Sequence, residues 1–281
     1  MWAFYIRRFR DFILTAAKEI ACMNQILADL RAKNPLVHCI TNYVAMNISA
    51  NVVLAAGASP AMIHTPEEAA DFAKIVGGLT INIGTVSPAW FEGMKLAAMA
   101  ANEVSVPWVL DPVAHFATPY RANVAQELLA LKPTILRGNA SEIIGLSGQV
   151  SAARGVDATD PVEAAEAGAI ELAQAHSIIV VVTGKSDFVT DGSRIARISG
   201  GSPMMPCITA MGCSLTCLMG GFAAVAPPME AAATALALFA EAGNVAASKA
   251  KGPGSFQPLF LDALHNISPE MLLQSERVEW H

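Results

Sequence analysis

The run Ser177-Ile178-Ile179-Val180-Val181-Val182 is almost entirely β-branched and carries no charge. A strand apolar on both sides has to be covered on both sides, which is the condition of a strand in a parallel sheet with helices above and below. Shorter strand candidates of the same kind recur at Leu36–Ile40, Ala61–His64, Leu79–Ile83, Pro107–Leu110 and Thr134–Arg137. Between them lie stretches of helical spacing. Tyr43–Ala56 ends at Gly57, and Thr65-Pro66-Glu67-Glu68 reads as a cap threonine, a first-turn proline and two first-turn acids. Pro88–Glu103, Arg121–Ala130 and Val162–Ala175 follow. Phe188–Thr190 and Arg194–Ile198, joined through Asp191-Gly192, predict a hairpin. Ser214–Ala226, Met229–Ser248 and a segment near Pro258–Asn266 predict further helices. This alternation predicts a three-layer α/β/α sandwich with a mostly parallel central sheet. There is no internal repeat and no polar linker, so residues 26–281 are expected to form one domain.

Composition narrows the function. Of 281 residues 53% are hydrophobic and 15% charged, which excludes a disordered tail. The formal net charge of −6 argues against a basic nucleic-acid-binding face. So apolar a chain with so few surface charges suits an oligomer. Five cysteines, Cys22, Cys39, Cys207, Cys213 and Cys217, include no CxxC pair, which points away from disulfides and zinc and towards a cytoplasmic setting.

Two stretches invite a membrane reading. Residues 1–25 are basic and aromatic at the start, but Asp11, Lys18 and Glu19 interrupt any apolar stretch. They are read as an N-terminal extension, helical or frayed, with Met23 as a possible initiator. Ile198–Met229 has no charge, yet its glycines and prolines leave only Ser214–Ala226 as continuous helix, too short for a span. No membrane association is expected.

In open α/β sheets ligands bind beyond the carboxyl ends of the strands. The polar residues found there are Thr41-Asn42, Asp111, Arg137-Gly138-Asn139 with Glu142, and Thr183-Gly184. A fifth polar place is the turn Thr209-Ala210-Met211-Gly212-Cys213-Ser214. Gly212 permits a tight bend, and the free amides and positive end of a following helix attract phosphate. Asp111 and Glu142 are the candidates for Mg²⁺, which favours carboxylate and water oxygen; the spacing Asn139-x-x-Glu142 equally suits a capping box. Arg137 can pair with phosphates or form a surface ion pair. Asn42 can bond a polar heterocycle or tie down a loop. Cys213, at a helix N-terminus, is expected to have a lowered thiol pKa; it could then take the proton of a substrate hydroxyl, or, like most free cysteines, pack as a small buried hydrophobe. Cys39, Cys207 and Cys217 are read as small buried hydrophobes. No Walker or G-x-G-x-x-G motif occurs.

Nine segments, in order from Pro35 to Phe256, resemble the hydroxyethylthiazole kinase family of the ribokinase-like superfamily. They are Pro35–Asn42, Asn47–Asn51, Gly57–Met62, Asn82–Thr85, Leu110–Val113, Arg137–Glu142, Thr183-Gly184, Thr209–Cys213 and Lys251–Phe256. The resemblance implies a ribokinase-like sandwich that transfers the γ-phosphate of ATP, with Mg²⁺, to the primary hydroxyl of 4-methyl-5-(2-hydroxyethyl)thiazole, a salvage step of thiamine biosynthesis. It implies that Met62 and Ala210 contact the thiazole, supported by Asn42. It implies that Arg137 and Thr183 contact ATP and that Asp111 and Glu142 serve the metal. The amides of Ala210, Met211, Gly212 and Cys213 would form the anion hole, with Cys213 the catalytic candidate. A cytoplasmic homotrimer with sites at subunit interfaces is also implied. Two departures stand out: many relatives in the superfamily carry an Asp base where Cys213 stands, and the family's turn commonly has Gly where this chain has Ala210. The alternatives are a kinase of the same fold acting on a hydroxymethylpyrimidine, or a non-catalytic nucleotide-binding homologue.

Overall fold

Val180 and Val182 face one apolar layer and Val181 the other, and all three are fully buried, so the run that opened the argument is covered on both sides. A computed structural model describes residues 23–148 and 160–281. Residues 23–33 are helical (α1). Then come β1 (Leu36–Ile40), α2 (Met46–Ala56), β2 (Ser59–Ala61), α3 (Pro66–Ala73), β3 (Gly78–Asn82) and α4 (Pro88–Glu103). They are followed by β4 (Trp108–Asp111), α5 (Pro119–Ala130), β5 (Ile135–Asn139), α6 (Ala140–Leu146), α7 (Val162–His176) and β6 (Ile179–Thr183). The chain closes with β7 (Ser186–Thr190), β8 (Ile195–Ser199), α8 (Met211–Ala223), α9 (Pro228–Ala247), α10 (Pro253–Asn266), α11 (Pro269–Gln274) and β9 (Val278–Trp280).

The described strands form one sheet in the order β2-β1-β3-β4-β5-β6-β7-β8-β9. The six strands from β2 to β6 run parallel and the last three pair antiparallel. One layer, built on Val37, Cys39, Val109 and Val181, packs against α1, α2, α8, α9 and α10. The other, built on Ile40, Ile81, Leu110 and Val182, packs against α3 to α7. Each large apolar side chain buried this way contributes about 1.5–3 kcal/mol. The sheet and its two helical layers are the sandwich expected.

Capping explains several boundaries. Ser87 and Thr118 accept hydrogen bonds from Trp90 N and Arg121 N at the starts of α4 and α5, each with a proline in the first turn. Thr65 makes no such bond, contrary to its expected role, and α3 starts on Pro66 and two acids alone. Close packing sets where α8 lies: a Cβ on Gly220 would come within 2.3 Å of Thr80 Cγ2, so the helix rests on β3 with no side chain between.

Three expectations shift. Helix α8 starts at Met211, three residues before Ser214, because Ala210 takes a left-handed conformation (φ 60°) that turns the chain straight into the helix. Met23 is buried in the core, so the expected boundary after residue 25 falls inside α1. Residues 1–22, with Cys22, lie outside the described residues. Strand β9 was not foreseen; its three residues complete the sheet beside β8. Among the described residues no helix is long and apolar enough to cross a membrane.

Candidate active site

The parallel strands deliver their last residues to one rim of the sheet, and the first turn of α8 lies over that rim. A buried polar chain runs along it. Asn42, just past β1, donates from Nδ2 to Asn82 Oδ1 (2.8 Å) and to Cys213 Sγ (3.3 Å). Its Oδ1 accepts the amides of Val44 and Ala45, so Asn42 also ties down the turn into α2. Asn82, the last residue of β3, donates from Nδ2 to Asp111 Oδ2 (2.7 Å). That oxygen also accepts from Thr216 Oγ1 (2.8 Å) and, at 3.5 Å, from Arg137 Nη1. All three donors converge on Oδ2, while the equally buried Oδ1 has no partner.

Arg137 is buried, not on the surface. Its Nη2 donates to Thr183 Oγ1 (2.7 Å), and Thr183 Oγ1 donates to Gly138 O (3.2 Å). The guanidinium lies against Gly212, where a Cβ would come within 2.9 Å of Nη2. Glycine at this position is therefore what lets the fork reach the turn before α8.

Glu142 completes a capping box: Asn139 Oδ1 accepts Glu142 N (2.9 Å) and Glu142 Oε2 accepts Asn139 N (2.8 Å). Its other oxygen accepts Ala114 N (2.9 Å) from the loop after β4. Burial pushes the Glu142 carboxyl up, and the like charge of Asp111 adds to it, against the amides of Ala114 and Asn139 and the charge of Arg137. Burial likewise pushes Asp111 up, opposed by Arg137, Thr216 and Asn82. Two buried carboxylates, both pushed up by burial and one of them with an unpartnered oxygen, suit a divalent cation with waters in the rest of its shell. Among the described residues no third His, Cys, Asp or Glu joins them to make a protein-only metal cage.

The turn itself is bare. Ala210 caps α8 with no side-chain hydrogen bond, and the first amides of a helix have no acceptor within it. The N–H groups of Met211, Gly212 and Cys213 can therefore converge on an anion. Ala210 adopts a conformation that costs an L-residue about 1–2 kcal/mol. Ala210→Gly is thus expected to raise stability by about 0.5–1 kcal/mol, read as a higher urea midpoint; an unchanged or lower midpoint would mean the methyl group compensates by packing.

One expectation is reversed. The Cys213 thiol is pushed up, to about 12, chiefly by burial and then by the charge of Asp111. This runs opposite to the lowering expected at a helix N-terminus, although the Asn42 and Asn82 side chains and the charge of Arg137 act to lower it. Cys207 is exposed, contrary to its reading as a buried hydrophobe, while Cys39 and Cys217 are buried as expected.

Met62 stands apart from the polar chain, half-buried just past the end of edge strand β2. Three residues here were given no role by the sequence reading, although Asn82 begins one of its nine family segments. Asn82 was hidden because the strand was extended to Ile83. Thr216 lies one helical turn beyond the recognised bend. Asp187, on β7, accepts Gly184 N (2.9 Å), and its carboxyl is pushed up to about 6 by burial despite that amide and the charge of Arg137.

Residues 27–270 match the hydroxyethylthiazole kinase family. A hydroxyethylthiazole kinase of Gemmatimonas aurantiaca is 61% identical over 255 residues, 91% of this chain and 92% of that one. Another, from Rhizobium rhizogenes, is 58% identical over 255 residues, 90% and 95% of the two chains. Among solved structures, hydroxyethylthiazole kinase from Pyrococcus horikoshii superposes with a TM-score of 0.83 at 35% identity, covering 92% of this chain and 98% of that one. A ribokinase-like protein of Enterococcus faecalis shares the fold, with a TM-score of 0.64 at 13% identity over 86% of this chain and 89% of its own.

Proposed function

Because the chain belongs to the hydroxyethylthiazole kinase family, we propose that it phosphorylates the primary hydroxyl of 4-methyl-5-(2-hydroxyethyl)thiazole with ATP, in thiamine salvage. The single observation that carries the reading is the arrangement around the α8 turn: uncapped amides, the Arg137 fork against Gly212, and two buried carboxylates at one rim. ATP phosphates bind at the turn beside Arg137, with Thr183 fixing the far end of the fork. The thiazole binds towards Met62 and Ala210, with Asn42 holding the loop beside it. Asp111 and Glu142 hold Mg²⁺, and the orphaned Asp111 Oδ1 is the donor atom to which this assignment points. When bound, the ion neutralises charge on the phosphates.

In the transfer the alcohol oxygen bonds to the γ-phosphorus as the bridging P–O bond breaks and ADP leaves. The amides of Met211, Gly212 and Cys213 receive charge on the equatorial oxygens. With the Cys213 thiol raised to about 12, the alcohol proton leaves late, to phosphoryl oxygen or water, and the thiol serves to shape the hole. Cys213→Ala keeps every backbone amide and is therefore expected to slow kcat by about tenfold, not the 10²–10³-fold typical of a lost general base. A pH–rate profile of wild type should show no limb that disappears in this variant; such a limb would restore the thiol as base.

A cytoplasmic homotrimer with the thiazole between subunits completes the proposal. Tyr43 and Val44 support a subunit contact there, being 66% and 58% exposed beside Asn42, near the edge-strand end that carries Met62. The direct test supplies the thiazole alcohol and a hydroxymethylpyrimidine separately with Mg-ATP and measures ADP. ADP from the thiazole alone is expected; ADP from the pyrimidine alone, or from neither, contradicts the assignment.

A further inference from the structure

The half-buried guanidinium of Arg121, on the first turn of α5, is engaged wholly with main-chain carbonyls. Nε donates to Ala114 O (3.1 Å), Nη1 to Gly84 O (3.2 Å) and Nη2 to Ile83 O (2.9 Å), and Nη2 also donates to Val113 O. Two of these acceptors belong to the loop after β3 and two to the loop after β4. Each loop has an inner edge in the site. Gly84 N donates to Asn82 Oδ1, and Asn82 in turn donates to Asp111. Ala114 N donates to Glu142 Oε1 from a left-handed conformation (φ 47°) that a non-glycine residue keeps only when its surroundings enforce it. One rigid fork thus fastens the outer sides of two loops whose inner sides orient the two carboxylates. A lysine could not do this, because its single ammonium lacks the planar spread of donors.

We propose that Arg121 is a positioning residue for phosphoryl transfer: its fork holds the loops after β3 and β4 in the register that orients Asp111 and Glu142 for the role assigned to them beside the phosphates. The proposal rests on the kinase reading, but its clamp can be tested without turnover. Arg121→Ala is expected to lower kcat by about 100-fold, the scale of a small misplacement of reacting groups, with each KM changed by less than about threefold. Amide hydrogen exchange at residues 83–86 and 113–117 should accelerate in the same variant. Guanidinium ion at tens of millimolar should restore both exchange protection and at least about a tenth of the lost rate, while sodium at equal ionic strength restores neither. Arg121→Lys should remain slow. A kcat within about threefold of wild type, or loops re-protected by guanidinium with no gain in rate, would overturn the proposal. If the variant instead fails to fold and guanidinium restores nothing, Arg121 is structural and the proposal also fails. A wild-type protein that released no ADP would defeat the kinase reading, and the exchange experiment would still decide the clamp.

Discussion

Asp111→Asn is expected to keep the fold at pH 7, relief of a buried carboxylate offsetting part of the cost of leaving Arg137 without its counter-charge, while turning over about 10³-fold more slowly. Asn82, Thr216 and Arg137 all donate to Oδ2, and an asparagine oxygen can take that place with all three bonds kept. The amide nitrogen would then occupy the site of the unpartnered Oδ1. Burial pushes the wild-type carboxyl up, so its ionised form is disfavoured in the fold. The sign follows from linkage: a raised acid binds more protons folded than unfolded, so its contribution to stability falls as pH rises past the ordinary carboxylate range. The variant should therefore compare better with wild type in urea titrations at pH 7 than near pH 4. What disappears is the negative charge at Oδ1 that the proposed metal needs. A variant that keeps its rate, or that is destabilised by more than about 2 kcal/mol, would contradict this account of the carboxylate.

Arg137→Met should weaken ATP binding more than it weakens binding of the alcohol. The side chain is similar in length but loses the fork that spans Asp111, Thr183 and the face of Gly212. A hydrogen bond to a charged group is worth about 1.5–3 kcal/mol, so the KM for ATP should rise about 10- to 100-fold. Stability should fall by about 1–3 kcal/mol, because Thr183 Oγ1 loses its donor and Asp111 its counter-charge. Arg137→Lys keeps the charge without the planar fork and should recover only part of the loss. Equal changes in KM for both substrates would indicate a general distortion of the rim.

The parallel half of the sheet was legible because its strands are buried on both faces, and burial on both faces leaves an uninterrupted apolar run such as Ile179–Thr183. Strand β9 was not, since Val278–Trp280 is three residues long and becomes a strand only by pairing with β8. In the site, the residues just past a strand end could be found by position, and Asn42, Asp111, Arg137 and Thr183 do stand along one rim. Asn82 and Thr216 could not, because their importance comes from which oxygen of Asp111 they face. The Cys213 thiol shows the limit most plainly: a helix N-terminus is visible in sequence, but the burial and neighbouring carboxylate that outweigh it are tertiary. Arg121 carries no motif at all, since its four acceptors are backbone atoms that any sequence would supply.

The most direct test of the phosphoryl cradle is a crystal structure with ADP, Mg²⁺, a planar phosphoryl mimic such as aluminium fluoride, and the thiazole alcohol. The account predicts the mimic within hydrogen-bond distance of the Met211, Gly212 and Cys213 amides, with Arg137 on the nucleotide side and the alcohol oxygen in line opposite. A mimic bound elsewhere, with those amides turned away from it, would contradict it.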